Sequence, residues 1–355
     1  MRKSLKKHGR KRIITALSLS EPTSDQSLYA EFALDIQWIR ERVWADYQTL
    51  PPLVKDTARY YLSQRVKLLH DGDSVRPHPL SPRPIPYLAF WFARAFGLDN
   101  VEVRRLLGLS LAYVCLSSSP RDDQLDEPGL VSPQQVYMAR WFWEKYFLAL
   151  KRLFPTRSPI WYIVSKSMAD WDNCERSMLF QNLDEAGEPL STSFLRKTSR
   201  YLVALIFPTL AGVALLGNRP KAVNAIRRFT CYYCMGWRIL DDLRDWQEDS
   251  SQPTANNSSV LSFLRTRTGI PRGAALTRET VVSLFSDQAI VGHIYSAMEG
   301  FFLAAKHEAE NLHATYVTRF IDQQLLGHKT ECFRIAAAKN KFSNTLMQLL
   351  QGEHA

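Results

Sequence analysis

Apolar residues recur along most of the chain at the three- and four-residue spacing that is typical of one face of an α-helix. Two such patterns lie between Leu28 and Leu69 and are separated by Leu50-Pro51-Pro52. The stretch from His70 to Pro86, rich in Pro, Asp and Ser, predicts a loop. The later helical patterns are Tyr87–Phe96, Val101–Leu116, Gln134–Phe154, Trp161–Gln181, Thr192–Leu216, Lys221–Glu248, Arg278–Leu312 and Tyr316–Leu350.

The connections between these patterns have the composition of turns. Gly, Pro, Asn and Ser occupy them, as in the turn from Gly217 to Pro220. No segment alternates apolar and polar residues with the period of two that marks a strand. We therefore predict an all-α fold, with a single helical domain over residues 28–355 and a separate tail over residues 1–27.

The basic residues are unevenly distributed. The net charge is +10, and seven of the 45 Lys and Arg residues lie between Arg2 and Arg12, where there are no acidic residues. The other 38 nearly balance the 35 acidic residues, so we expect no nucleic-acid partner for the domain itself. The tail is consistent with a solvated disordered arm, a contact for anionic lipid or nucleic acid, or an address signal.

The five cysteines are few and scattered, which excludes a disulfide framework. Cys231 and Cys234 form a CxxC pair, but it lies within an apolar, aromatic helical pattern and has no second pair. We interpret both as buried thiols of a protein in a reducing compartment, the cytoplasm, with a zinc site as the alternative.

The run from Tyr201 to Leu216 is the most apolar segment of the chain. It is interrupted by Pro208 and is shorter than the roughly 20 residues needed to cross a bilayer. We predict a buried core helix there and no transmembrane segment.

The strongest chemical signal is an acidic cluster between Asp241 and Asp249. On a helix, its five carboxylates fall within an arc of about 120°. We expect no Lys or Arg within that arc, and Arg244 falls outside it. The cluster is either a solvated acidic face or a site for a divalent cation. The cation is favoured, because the preceding helical pattern is apolar and Mg²⁺ prefers carboxylate and phosphate oxygens.

A second cluster, Asp122, Asp123 and Asp126, lies about 120 residues earlier and also shares one helical face. The alternative is a helix start, with Ser119 as the cap, Pro120 at the first position and acids in the first turn. Its pairing with the later cluster, each at the end of an apolar helical pattern, favours a functional site.

Two DDxxD-type motifs on an all-helical chain resemble those of the class I isoprenoid synthases, that is, the trans-prenyl diphosphate synthases and the class I terpene cyclases. The segment Arg244 to Asp249 is also similar to the RDxxED pattern of squalene and phytoene synthases. Lys197-Thr198 is similar to the pair that contacts diphosphate in prenyl synthases, and Arg83-Pro84 to the end of their GKxxRP motif. The resemblance covers roughly residues 80–320 and implies the isoprenoid synthase helical bundle with a central apolar cavity.

The resemblance also implies a set of site residues and a cofactor. Three Mg²⁺ ions would be held by the two clusters, with Glu248 and Asp249 as auxiliary ligands, and Asp122, Asp241 and Lys197 would be central to catalysis. The implied metal ligands are Asp122, Asp123, Asp126, Asp241, Asp242, Asp245 and Asp249. The implied diphosphate donors are Lys197, Arg196 and Arg238. Aromatic side chains that could line the cavity and stabilise an allylic cation are Phe90, Trp91, Tyr232, Tyr233 and Trp237.

The chain departs from the prenyl synthases at two basic boxes. GKxxRP lacks its Gly-Lys, and the Arg-Arg pair after the first motif is replaced by Pro128-Gly129-Leu130. In that family these cations hold isopentenyl diphosphate, the second substrate. We therefore expect a terpene cyclase that ionises one prenyl diphosphate and releases pyrophosphate. The alternatives are a prenyltransferase and a non-catalytic homologue, with a homodimer and a peripheral membrane contact through the tail also compatible with the sequence.

Overall fold

The computed structural model describes residues 27–60, 62, 85–126, 132–180, 188–249, 258–271, 276–285 and 287–327. Every regular element within these ranges is helical. The α-helices are α1 (Ser27–Ala30), α2 (Ala33–Gln48), α3 (Pro52–Tyr60), α4 (Ile85–Ala95), α5 (Val101–Asp126), α6 (Pro133–Leu153), α7 (Ile160–Phe180), α8 (Thr192–Thr198), α9 (Arg200–Leu216), α10 (Val223–Asp249), α11 (Ser259–Thr268), α12 (Arg278–Phe285), α13 (Gln288–Asn311) and α14 (residues 315–327).

Helix α9 lies between α5 and α10 and is buried over most of its length. The hydroxyls of Ser110 on α5 and Thr209 on α9 lie 3.1 Å apart. Arg238 on α10 donates from Nη1 to the Tyr201 hydroxyl on α9 at 3.3 Å. Because the apolar run of α9 is surrounded by other helices, its hydrophobicity is that of a core element, as the sequence predicts.

The contacts between helix ends indicate that α5 and α10 run in the same direction through the bundle. The end of α4 meets the end of α9, where Phe96 contacts Gly217. Short connections make α5 antiparallel to α4 and α10 antiparallel to α9, the latter through the turn Pro220–Ala222. Helices α5 and α10 therefore start at one end of the bundle and finish together at the other, which we call the acidic end because both acidic clusters lie there.

Several predicted helices differ from the observed ones: the pattern Arg278–Leu312, for example, is the two helices α12 and α13. The pattern Thr192–Leu216 is two helices, α8 and α9, which meet at Ser199 with a bend of 70°. Helix α11 was not among the predicted helices, and its sequence signal is Ser258, whose side chain accepts from the Leu261 amide at 3.3 Å. A capping serine followed by an apolar run marks a helix start even where the preceding residues are polar.

Among the described helices, none is by itself both long and apolar enough for a membrane span, and only α8 and α9 taken together, across their bend, reach the required length and composition.

Candidate active site

The first acidic cluster lies at the end of a long helix. Helix α5 continues through Pro120 and ends at Asp126. The alternative interpretation, in which Ser119 and Pro120 start a helix, is therefore wrong. Proline removes one backbone donor, and in the turn before it the Ser117 and Ser119 hydroxyls donate to the carbonyls of Val114 and Cys115, at 2.8 and 2.9 Å. The side chains of Asp122, Asp123 and Asp126 lie outside what the structure describes.

The two acidic clusters lie at the same level along the bundle. From the contact of Ser110 with Thr209, a rise of about 1.5 Å per residue puts Asp122 about 18 Å further along α5. A second path runs from Thr209 along α9 to Tyr201, across to Arg238, and along α10 to Asp241. The same rise per residue gives about 17 Å for this path. Both helices pack on α9, so interaxial distances of about 8–10 Å keep the axes of α5 and α10 within roughly 20 Å.

Asp241 and Asp242 are neighbours in sequence but have different surroundings. Asp241 is half-buried and has no hydrogen-bonding or ion-pair partner among the described residues. Asp242 is only 3% exposed, and both of its carboxylate oxygens are engaged by other groups of the protein. Asp241 is thus available to a ligand, whereas Asp242 is already occupied. The side chains of the other acidic residues of this cluster, Asp245, Glu248 and Asp249, are not described.

Arg238 corrects one expectation from the sequence, that no basic residue lies within the acidic arc of α10. It is one turn before Asp242, and its Nε lies 3.2 Å from Asp242 Oδ1. This i, i+4 pair is 13% and 3% exposed, so it is shielded from solvent. Burial raises the pKa of Asp242, and the Arg238 charge and the Ser259 hydrogen bonds oppose that rise.

The predicted diphosphate donors lie beside the bend between α8 and α9. Lys197 is half-buried, and its ammonium has no partner among the described residues, while its carbonyl accepts from Cys174 Sγ at 3.5 Å. Arg196 is exposed; burial raises the pKa of the nearby Cys231 thiol, and the charges of Arg227 and Arg196 partly oppose that rise. The two predicted donors on α8 are therefore accessible, whereas Arg238 is paired.

Ser199, at the bend between α8 and α9, was not among the site residues predicted from the sequence. Ser199 is 1% exposed, and its hydroxyl has no hydrogen-bonding partner among the described residues. Its backbone is satisfied, because its amide donates to Leu195 and its carbonyl accepts from Val203. A buried hydroxyl without a partner is unusual in a folded protein, and the sequence signal for it was only the position directly after Lys197-Thr198.

Aromatic side chains form a row along α10 that leads to the acidic end. Phe229 stacks on Tyr233 with ring centroids 5.8 Å apart, and Tyr233 stacks on Trp237 at 6.3 Å. Members of this row are four residues apart, and the next position is Asp241. Tyr233 is buried against Phe302, whereas Trp237 and Tyr232 are half-buried. Of the predicted cavity residues in this row, Trp237 is adjacent to the acidic cluster.

Phe90 and Trp91 have the contacts of core residues. Both are fully buried. The Phe90 ring stacks on Phe32 at 5.4 Å, and Trp91 lies 5.0 Å from Phe320 and donates to the Leu28 carbonyl. Phe90 packs at the level of Gly108, about 21 Å from Asp122 along α5. These two residues join α4 to the N-terminal helices and α14, far from the acidic end.

The described side chains include no group of three His, Cys, Asp or Glu that could hold a metal ion. The donor chemistry of the acidic end nevertheless suits a hard cation. Asp241 offers a carboxylate that has no partner among the described residues, and the remaining candidates on α5 and α10 are all carboxylates. The residues able to contribute ligands are thus Asp241 and the cluster members whose side chains lie outside the described part.

Comparisons with known proteins identify the fold. No family model and no curated protein matches the sequence. A decaprenyl diphosphate synthase from Rhodobacter capsulatus matches the structure with a TM-score of 0.62 and 14% identity, over 84% of this chain and 98% of that one. A polyprenyl synthase from Caulobacter crescentus CB15, complexed with calcium and isoprenyl diphosphate, matches with the same score and identity over 86% and 98%. The chain therefore has the all-helical isoprenoid synthase fold, and its resemblance to the class I isoprenoid synthases is confirmed at the level of the fold.

Proposed function

We propose that the protein is a Mg²⁺-dependent prenyltransferase, which ionises a prenyl diphosphate and joins the resulting allylic group to an acceptor. The observation that supports it most directly is the placement of two acidic clusters at one level of one end of the bundle. Clusters on unrelated surfaces could not act on one substrate headgroup. The names of the two structural neighbours, a decaprenyl diphosphate synthase and a polyprenyl synthase, favour transfer over the cyclisation expected from the sequence.

The chain's own groups would divide the work at the acidic end. Asp241 would contribute a metal ligand, and the ammonium of Lys197 would donate to the diphosphate oxygens. Bound Mg²⁺ would supply charge neutralisation of the leaving pyrophosphate. The half-buried face of Trp237 is suited to stabilise the allylic cation and to exclude water from it. Asp242, Phe90 and Trp91 are not carried into this proposal, because their contacts are with other protein groups.

Terpene cyclase is the second candidate function. The chain lacks the Gly-Lys of the first basic box and the Arg-Arg pair of the second, and these segments lie outside the described residues. Without those cations, a second diphosphate has fewer partners. The acceptor of a transferase would then be an uncharged molecule or a second prenyl chain, and a cyclase would need no acceptor at all.

The deciding experiment is pyrophosphate release with product mass spectrometry. Single C10 to C25 prenyl diphosphates would be supplied with and without Mg²⁺, and with and without isopentenyl diphosphate. A transferase gives a product heavier than its substrate, and a squalene-type enzyme gives a dimeric one. A hydrocarbon or terpene alcohol with the same carbon number as its single substrate would establish the cyclase. Absence of Mg²⁺-dependent pyrophosphate release from every substrate would reject the proposal and favour a non-catalytic homologue.

Two variants provide the matched controls for that assay. Asp241→Asn removes a charge at the acidic end and is expected to abolish release. Asp99→Asn removes a charge in the α4–α5 turn at the opposite end, where Asp99 is exposed and, among the described residues, pairs with Arg94 at 3.4 Å. A surface pair of this kind contributes about 0–1 kcal/mol, so Asp99→Asn should retain full activity.

A further inference from the structure

Asp242 contacts an element other than its own through one carboxylate oxygen. Its Oδ2 accepts from the Ser259 amide at 2.6 Å and the Val260 amide at 3.4 Å, and the Ser259 hydroxyl also donates to it. All of these donors belong to the first turn of α11. A carboxylate from α10 is thus seated on the start of the helix that follows the acidic motif.

These contacts complete the cap of α11. The first backbone N–H groups of a helix have no partner within the helix. Ser258, the capping residue, satisfies the amide of Leu261, and Asp242 satisfies the amides of Ser259 and Val260. The next amide, that of Ser262, makes the first bond of the helix itself, to the Ser258 carbonyl. Of the four orphan N–H groups at this buried helix start, those of Ser259, Val260 and Leu261 are therefore satisfied, two of them by Asp242.

The other oxygen of Asp242 faces Arg238. Oδ1 lies 3.2 Å from Arg238 Nε, and Arg238 Nη1 reaches the Tyr201 hydroxyl. A continuous set of polar contacts therefore runs from α9 through Arg238 and Asp242 to α11. This set crosses the acidic end immediately beside Asp241, whose own carboxylate makes no such contact with the described residues.

We propose that Asp242 is a positioning residue that anchors the start of α11 to α10 and holds Arg238, leaving metal binding in this motif to Asp241 and the later carboxylates. The part that concerns metal rests on the proposed function. In this proposal the two adjacent aspartates have different roles, although both belong to the same acidic motif in the sequence.

Amide hydrogen exchange tests the anchor without reference to activity. Asp242→Asn keeps the size of the side chain but removes the charge that strengthens its hydrogen bonds. Loss of a charge-assisted bond of about 1.5–3 kcal/mol predicts that the amides of Ser259 and Val260 exchange roughly 10- to 150-fold faster. Asp241→Asn should leave their exchange unchanged. Unchanged exchange in Asp242→Asn would overturn the anchor.

Binding of Mn²⁺ in the presence of pyrophosphate, followed by electron paramagnetic resonance, tests the division of roles. Asp241→Asn should weaken Mn²⁺ binding about tenfold or more, and Asp242→Asn by less than about threefold, since charge at a distance contributes less than a direct ligand. Equal weakening by both variants would overturn the proposal. Ser259→Ala gives a second test if Asp242→Asn is poorly folded: exchange at Val260 should rise while Mn²⁺ affinity stays at the wild-type value, and a fall in affinity would contradict the anchor role.

If the proposed function is wrong, the activity assay and the exchange measurement give different results. A wild-type protein that releases no pyrophosphate from any prenyl diphosphate rejects the enzyme, yet the exchange measurement still decides whether Asp242 anchors α11. In an active wild type, Asp242→Asn should lower kcat and leave the Mg²⁺ concentration for half-maximal rate within about twofold, whereas Asp241→Asn should raise that concentration.

Discussion

Gly108 on α5 faces the ring of Phe90 on α4 so closely that a Cβ atom added to the glycine would lie 2.5 Å from Phe90 Cε1. The same atom would lie 2.9 Å from Cδ1 of Ile39 on α2. Three helices therefore meet at a position where only glycine leaves enough space. Glycine lowers the stability of a helix. At position 108 it allows α4 and α2 to approach α5 closely.

Gly108→Ala should destabilise the protein by about 1–3 kcal/mol, because the added methyl group must displace a fully buried ring. Urea-induced unfolding measures the change. Gly292→Ala on α13 is the matched control, since a Cβ there meets no atom within 4 Å, and it should be neutral or stabilising by up to about 1 kcal/mol. A neutral Gly108→Ala would show that the three helices are not closely packed at this point.

A buried carboxylate on α2 provides a second stability test. Asp46 accepts from Lys145 Nζ at 2.8 Å and from the Tyr113 hydroxyl. Tyr113→Phe leaves the ion pair intact and should cost about 1–3 kcal/mol of unfolding free energy. Lys145→Met leaves only the longer contact with Arg42, whose Nε lies 3.9 Å from Asp46 Oδ2, to balance the carboxylate, and should cost about 3 kcal/mol, the low end for breaking a buried ion pair. The reverse order, measured by urea unfolding of both variants, would show that the ion pair contributes less than the phenol.

The hydroxyl of Ser199 should be dispensable for stability. Because it has no partner among the described residues, Ser199→Ala is expected to leave the free energy of unfolding unchanged or to raise it by up to about 1 kcal/mol. Thr198→Val is the comparison, since the Thr198 hydroxyl donates to the Phe194 carbonyl at 3.1 Å, and its loss should cost about 1 kcal/mol. A clear loss of stability in Ser199→Ala would indicate an unrecognised partner.

The thiols of α10 should react slowly in the native protein. Burial raises the pKa of Cys231 and raises that of Cys234 well above its ordinary value. Both are then protonated at pH 8, and the thiolate is the reactive form. Peptide mapping after brief iodoacetamide treatment should show little label at either residue until denaturant is added. Rapid native labelling of Cys234 would contradict its burial.

Lys197 should contribute to substrate binding rather than to stability. Loss of one charge-assisted hydrogen bond of about 1.5–3 kcal/mol predicts that Lys197→Gln lowers kcat/KM for a prenyl diphosphate roughly 10- to 150-fold. Lys151→Gln, an exposed change on the last turn of α6, should have no effect. Equal kinetics for the two variants, with equal unfolding curves, would remove Lys197 from the site.

The sequence predicted most of the helices, but it did not predict their breaks or the contacts between them. Apolar periodicity identified α10 and the burial of α9, because one face of each must be covered. It did not reveal the break at Ser199, since α8 and α9 are each compatible with one continuous pattern. Helical spacing also grouped Asp241 with Asp242, whereas Ser259, which donates to Asp242, lies in another helix. Contacts between elements cannot be read from the periodicity of either one.

The shared direction of α5 and α10 has an electrostatic consequence. Each helix has a macrodipole with a partial negative charge at its C-terminus and a partial positive charge at its N-terminus. At the acidic end, the negative poles of α5 and α10 add to the carboxylates, and the positive pole of the antiparallel α9 lies between them beside Lys197. The backbone alone therefore creates a field that attracts cations to both outer helices and an anion to the middle one.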